Sequence, residues 1–172
     1  MLPPIPAPDR LILAALRHAR TPVVFLDFDG VTHVEPLRGP AFVHLPLIEE
    51  VLRAHPKVPT VLSTSWREEF RMEVLLEHFS KDIAARVIGG TPSMVAGHSR
   101  HYTVPLCEES RQAEIQAWLY ENLTMAHPGI TIDDSAFWFE PDCSNLLYAD
   151  WNTGFTAADG ERLYAMLQER SP

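Results

Sequence analysis

The chain has 172 residues, 46% of them apolar and 22% charged, with a net charge of −9. That is the size of one domain with its own core, and the composition is that of a globular chain. The acidic balance excludes a generic basic nucleic-acid surface, though Arg67, Arg71, Arg100 and Arg111 leave room for a local basic patch.

Met1 to Pro8 carries four prolines and reads as an extended arm on a domain spanning 1–172. The run Leu11-Ile12-Leu13-Ala14-Ala15-Leu16 is too short to cross a bilayer, so no membrane partner is expected. It follows Pro and Asp, not a basic region, which argues against a signal peptide. Asp9 caps it as a helix. Without a secretory signal, Cys107 and Cys143 are expected to be reduced thiols in a cytoplasmic protein.

Val23-Val24-Phe25-Leu26 follows a proline and has no helical period, as expected of a strand buried on both faces. Asp27 and Asp29 come next, at the spacing that puts both on one side of an extended chain while Phe28 turns to the core. Two acids so close repel unless a cation or shared proton intervenes, so the pair predicts a divalent metal site. Gly30 lets the chain turn away. An Asp-Gly turn alone would explain Asp29 and Gly30, but it leaves Asp27 as an unexplained charge at the mouth of the sheet.

Thr32 to Pro46 reads as loop, and Pro46 to His55 as a helix with Pro in its first turn. Val58 to Ser65 contains a second apolar strand ending in Ser63-Thr64-Ser65, followed by a helix over Arg67 to Phe79, where Phe70, Val74 and Leu75 recur at helical spacing. Arg86-Val87-Ile88 is a short strand stopped by Gly89-Gly90, and Thr91 to Leu106 is a polar loop. A helix covers Glu108 to Asn122, a strand Gly129 to Ile132, and a last strand Asn145 to Ala149. Thr156 with Asp159 forms a capping box for a final helix ending near Gln168. Strands alternating with helices predict a parallel sheet of about five strands between two helical layers. Asp27, Thr64 and Asp133-Asp134 then converge at the carboxyl ends of strands, where such sheets bind ligands.

The strand ending Asp27-Phe28-Asp29-Gly30, the hydroxyls Ser63-Thr64-Ser65, the basic Arg111 near a helix start and the acidic pair Asp133-Asp134 resemble, in order, the four motifs of the haloacid dehalogenase-like (HAD) hydrolases. Ser63-Thr64-Ser65-Trp66-Arg67, Gly89-Gly90-Thr91-Pro92 and Arg111-Gln112-Ala113-Glu114-Ile115 are similar to a small bacterial branch that includes domains of RNA-repair proteins. The resemblance implies a three-layer Rossmann-like fold and a phosphatase. Its nucleophile would be Asp27, with one oxygen on Mg2+, a hard cation suited to carboxylates. Asp29 would be the general acid and base, its backbone carbonyl a further metal ligand. Thr64, with Ser63 as the alternative, and Arg111 would hold the phosphoryl oxygens. Asp133 and Asp134 would complete the metal shell. Dehalogenases of this superfamily lack an acid at the position of Asp29, so phosphate transfer is favoured.

Each residue has a plainer alternative. Arg111 reads equally as a solvated helix residue pairing with Glu108 or Glu114, Ser63 and Thr64 as strand-end hydrogen bonders, and Asp133-Asp134 as a turn. His33, two residues beyond Val31, is a candidate for touching substrate, though a lone loop histidine more often reads as solvated. Trp66, Trp138 and Trp151 are open to base stacking, whereas Trp118 on an amphipathic helix reads as core. His98 and His101 have no further ligand spaced to help them bind metal. The gaps Thr32 to Val58 and Arg67 to Ser110 leave no room for a full cap domain, which predicts an open site for a phosphorylated partner such as a nucleic-acid end. A nucleotide or small-metabolite phosphatase and a catalytically silent binding module are the alternatives. A response-regulator receiver is excluded, because no isolated Asp ends the strands at Val61 or Val87.

Overall fold

The computed structural model describes residues 7–93 and 110–171. Five strands, β1 (Val23–Leu26), β2 (Thr60–Leu62), β3 (Val87–Gly90), β4 (Gly129–Asp133) and β5 (Leu146–Tyr148), form one sheet in the order β3-β2-β1-β4-β5. Every pairing is parallel, with Leu26 opposite Leu62 on one side and Ile132 on the other. The helices are α1 (Arg10–Ala19), α2 (Leu45–Ala54), α3 (Met72–Leu76), α4 (Lys81–Ala84), α5 (Ser110–Asn122) and α6 (Ala157–Arg170).

The period of two along β1 divides the core. Val24 and Leu26 face a layer built from α2, α3, α4 and α6, through Ile48, Leu52, Leu75, Ile83 and Leu163. Val23 and Phe25 face α1 and α5, where Leu13, Leu16, Ile115 and Trp118 pack, and Trp118 meets Phe25 edge to face at 5.6 Å. This is the three-layer α/β arrangement that alternating strands and helices predict. Two caps fall where the sequence puts them. Asp9 accepts the Leu11 N–H at 2.7 Å, and Thr156 and Asp159 form a reciprocal capping box on α6.

Three local expectations are corrected. The single helix over Arg67 to Phe79 is instead a 3-10 turn (Ser65–Glu68) followed by α3, with Arg71 extended between turn and helix. The turn is drawn inward by the buried Arg67 side chain. Gly89 and Gly90 do not stop β3 but pair within it, opposite Val61 and Leu62, past a register shift in β2. The third is α4, a one-turn helix too short to give a period in the sequence.

Among the described residues, the segment between β1 and β2 holds only α2 and irregular chain, and the segment between β2 and α5 holds only the 3-10 turn, α3, α4, β3 and irregular chain. No separate cap domain is present in them. Residues 94–109, which include most of the predicted polar loop, His98, Arg100, His101, Cys107 and the predicted helix start at Glu108, lie outside the described residues, as do residues 1–6 of the predicted arm. No described helix is long and apolar enough to cross a membrane.

Candidate active site

Strand order reverses at β1, from which β2 and β3 extend one way and β4 and β5 the other. The crevice beyond the carboxyl ends at such a reversal is where open α/β sheets bind ligands. The ladder runs on past β1, since the Asp27 N–H donates to the Ile132 carbonyl at 3.1 Å and the Ser63 N–H to the Leu26 carbonyl at 2.9 Å. Asp27, Ser63 and Asp133 therefore stand at one level on the rim.

The carboxylates of Asp27, Asp133 and Asp134 offer oxygens that all lie within 4.8 Å of one another. Asp27 and Asp133 are buried and Asp134 is half-buried. The Phe28 N–H donates to Asp27 Oδ1 at 2.8 Å, and the Ser135 N–H donates to Asp133 at 2.9 Å. Asp134 folds over Gly30, whose φ is +64° and where an added Cβ would stand 2.0 Å from Asp134 Oδ2. Gly30 thus leaves the space the last acidic residue fills, besides turning the chain.

One guanidinium, on the first turn of α5, faces this cluster. Arg111 is 3.7 Å from Asp27 Oδ2 and 3.4 Å from Asp133 Oδ2, and 3.7 Å from Glu114 on its own helix. Burial pulls the Arg111 pKa down, but Asp27, Asp133 and Glu114 outweigh it and the net change is upward. Burial pushes the Asp27 carboxyl up, against Arg111 and the Phe28 N–H, with the charge of Asp29 adding to the rise and a Thr64 hydrogen bond opposing it. Asp133 is pushed well up by burial and then by Asp27. Asp134, for the same two reasons in the same order, is raised to about 6. Among the described residues a single cation thus faces three acids that each resist ionisation, as expected of a site shaped for more positive charge than these side chains supply.

The donor set fits a hard divalent cation. It consists of oxygens alone, and Asp133 Oδ2, buried beside Arg111, accepts no hydrogen bond among the described residues. Mg2+ takes one or two carboxylates together with substrate oxygens and water.

The Ser63-to-Arg67 segment supplies the other wall. The Thr64 hydroxyl acts to lower the Asp27 pKa and caps the 3-10 turn by accepting the Trp66 N–H at 3.3 Å. The Ser63 hydroxyl is buried without a hydrogen-bond partner among the described residues. Arg67, named above for a basic patch, does not reach the surface. Its Nε donates to the Thr91 carbonyl at 2.8 Å, one terminal nitrogen donates to the Ser63 and Thr64 carbonyls, and the other donates to the Pro92 carbonyl at 3.2 Å and to Glu114 at 2.7 Å. It ties the ends of β2 and β3 to α5. A cation with that many backbone acceptors has no reason to face solvent.

The structure thus brings Asp27, Thr64, Arg111, Asp133 and Asp134 together, and sets Asp29 aside. The Asp29 carboxylate groups with His33 and Glu35, because a turn begins at Asp29 and ends the extended alternation after Phe28. His33, read as solvated, is buried. Its i+4 spacing from Asp29 was visible in the sequence, but nothing there marked the loop as folded inward. Trp66, open to stacking by its sequence, instead turns its ring nitrogen to Asp29.

A parallel three-layer α/β chain with buried aspartates converging on its switch point belongs, by fold and site, with the HAD-like domains. A family model described as the HAD domain in Swiss Army Knife RNA repair proteins matches residues 23–159, and the chain belongs to that family. No curated protein and no solved structure matches it. The matched span runs from the start of β1 to the capping box of α6, and so includes all four motifs.

Proposed function

We propose that this HAD domain is a Mg2+-dependent phosphohydrolase that cleaves a phosphomonoester through an aspartyl-phosphate on Asp27. The observation that carries the reading is the meeting of Asp27, Asp133 and Asp134 with Arg111 and the Thr64 hydroxyl at the switch-point rim. Asp27, Asp133 and Asp134, with the Asp29 backbone carbonyl, would hold the cation. Bound there, Mg2+ neutralises charge on an anionic substrate.

The side chains divide the remaining work. An oxygen of Asp27 attacks phosphorus, and the bond from phosphorus to the leaving oxygen breaks. Asp29 gives that oxygen a proton, then takes one from the water that attacks the aspartyl-phosphate and releases inorganic phosphate. Arg111 and Thr64 hold the phosphoryl oxygens through both transfers. Ser63, with its hydroxyl buried inside the strand end, is the weaker candidate for that role.

Two observations support a phosphate on a large molecule, such as a nucleic-acid end. No cap domain covers the rim among the described residues, and the family is described from RNA-repair proteins. The net charge of −9 favours the second reading, a nucleotide or other small phosphomonoester. The test is phosphate release from p-nitrophenyl phosphate, 3′- and 5′-phosphorylated oligonucleotides and free nucleotides, with Mg2+ and with EDTA. Release that requires Mg2+ and falls about 10⁴-fold or more in Asp27→Asn is the expected result, and the preferred substrate chooses between the readings. Folded protein that binds Mg2+ and releases nothing would move the assignment to a binding module.

A further inference from the structure

Asp29 is held from two sides. The Trp66 indole nitrogen, which can only donate, lies 3.0 Å from Oδ1 and 2.9 Å from Oδ2. His33 Nε2 lies 3.1 Å from Oδ1. A rim carboxylate whose side chain is 37% exposed would otherwise turn freely about both of its side-chain bonds.

Both partners are fixed from behind. The Trp66 ring packs against Phe28, Phe42 and Phe70, with centroids 5.9, 5.5 and 5.4 Å away. His33 is 1% exposed and meets Phe42 edge-on at 5.5 Å. The Thr32 hydroxyl donates its hydrogen to the Phe28 carbonyl at 2.9 Å. Toward His33 Nδ1, 3.0 Å away, it therefore has only a lone pair to offer, and Nδ1 must carry a hydrogen. That bond sets the face of the ring and aims Nε2 at Asp29, as an outer hydrogen bond does for a metal-ligating histidine. Phe42, which touches both rings and stacks on His78 at 3.9 Å, holds a φ of 62°. That conformation is costly for a bulky side chain and persists only where surrounding packing demands it.

We propose that His33 and Trp66 are positioning residues that fix the Asp29 carboxylate for proton transfer to the leaving oxygen. The inference rests on the phosphohydrolase reading and adds to it the groups that orient the acid. As the bond from Asp27 to phosphorus forms, the bond to the leaving oxygen breaks and that oxygen takes the proton from Asp29, departing as a neutral alcohol. Loss of orientation costs rate without removing any group that touches substrate.

The test uses kcat/KM, which reports only steps up to departure of the leaving group and is blind to the later role of Asp29 as base. p-Nitrophenolate leaves without a proton, whereas an alkoxide does not, so p-nitrophenyl phosphate is compared with glycerol phosphate. Trp66→Phe removes the N–H and keeps a ring for the aromatic packing, and His33→Ala is paired with His33→Gln, whose amide can donate to an Asp29 carboxylate or accept from its protonated carboxyl. Trp66→Phe and His33→Ala are expected to lower kcat/KM for glycerol phosphate by about 10- to 100-fold. The fall for p-nitrophenyl phosphate is expected to be about ten-fold smaller, with partial recovery in His33→Gln. Equal losses on both substrates, or none, overturn the inference while the phosphatase stands. If His33→Ala does not fold, Trp66→Phe decides alone. Wild-type protein inert on both substrates, and on the phosphorylated oligonucleotides and nucleotides named above, overturns the reading and the inference together.

Discussion

Asp134 has a value within reach of ordinary buffers, and its environment makes a signed prediction. Burial, then the charge of Asp27, raises its carboxyl from 3.8 to about 6. A carboxyl raised on folding binds its proton more tightly in the folded chain. Its contribution to stability is therefore fully present below pH 3.8 and is lost as pH rises through about 6. In EDTA, Asp134→Asn, which carries no charge at any pH, is expected to melt above wild type at pH 7.5. By pH 5 the difference should have narrowed to about half, and it should close only below pH 3.8. Thermal unfolding of the two proteins across that range checks it, and a difference that widens toward acid would mean Asp134 is already satisfied as an anion.

At the scale of an element, the chain after β2 shows a side chain overruling a period. Phe70, Val74 and Leu75 have helical spacing, and a helix begun at Arg67 would use it. The guanidinium of Arg67 is instead held by carbonyls of Ser63, Thr64, Thr91 and Pro92 and by Glu114, so the chain makes a tight turn above it and restarts as α3. Apolar spacing records which residues face the core, but it carries no mark of a buried cation whose partners are backbone carbonyls from another strand. Burial acts to lower the Arg67 pKa while the charge of Glu114 opposes it, so the pair stands or falls together. Arg67→Met, which keeps the volume and removes the charge, takes from Glu114 and the carbonyls the donors that Arg67 supplies. It is expected to cost about 3–5 kcal/mol in urea unfolding. A loss under about 1 kcal/mol would mean those groups find replacement partners.

For the whole molecule, the parallel sheet, its two helical layers and the level at which the site lies were legible because each follows from a periodicity or a cap. Val23 to Leu26 had to be buried on both faces, and Asp9 and Thr156 had to begin helices. The division of the rim acids was not legible, since it depends on where the backbone turns after Phe28. Nor was the burial of His33, which depends on Phe42 and Trp66 closing over a loop with no pattern of its own. The route by which the rim is assembled has a kinetic consequence. Asp27 meets Asp133 only when β1 pairs with β4, a contact between opposite halves of the chain, and such long-range pairings form late because the intervening chain must first be ordered. A partly folded chain holding only β1, β2 and β3 keeps Asp27 but lacks Asp133 and Asp134. Mg2+ is therefore expected to slow unfolding by most of the stabilisation it confers and to leave the refolding rate near its value in EDTA. Stopped-flow traces with and without the cation measure both rates, and refolding accelerated by the full stabilisation would place the β1–β4 pairing before the barrier.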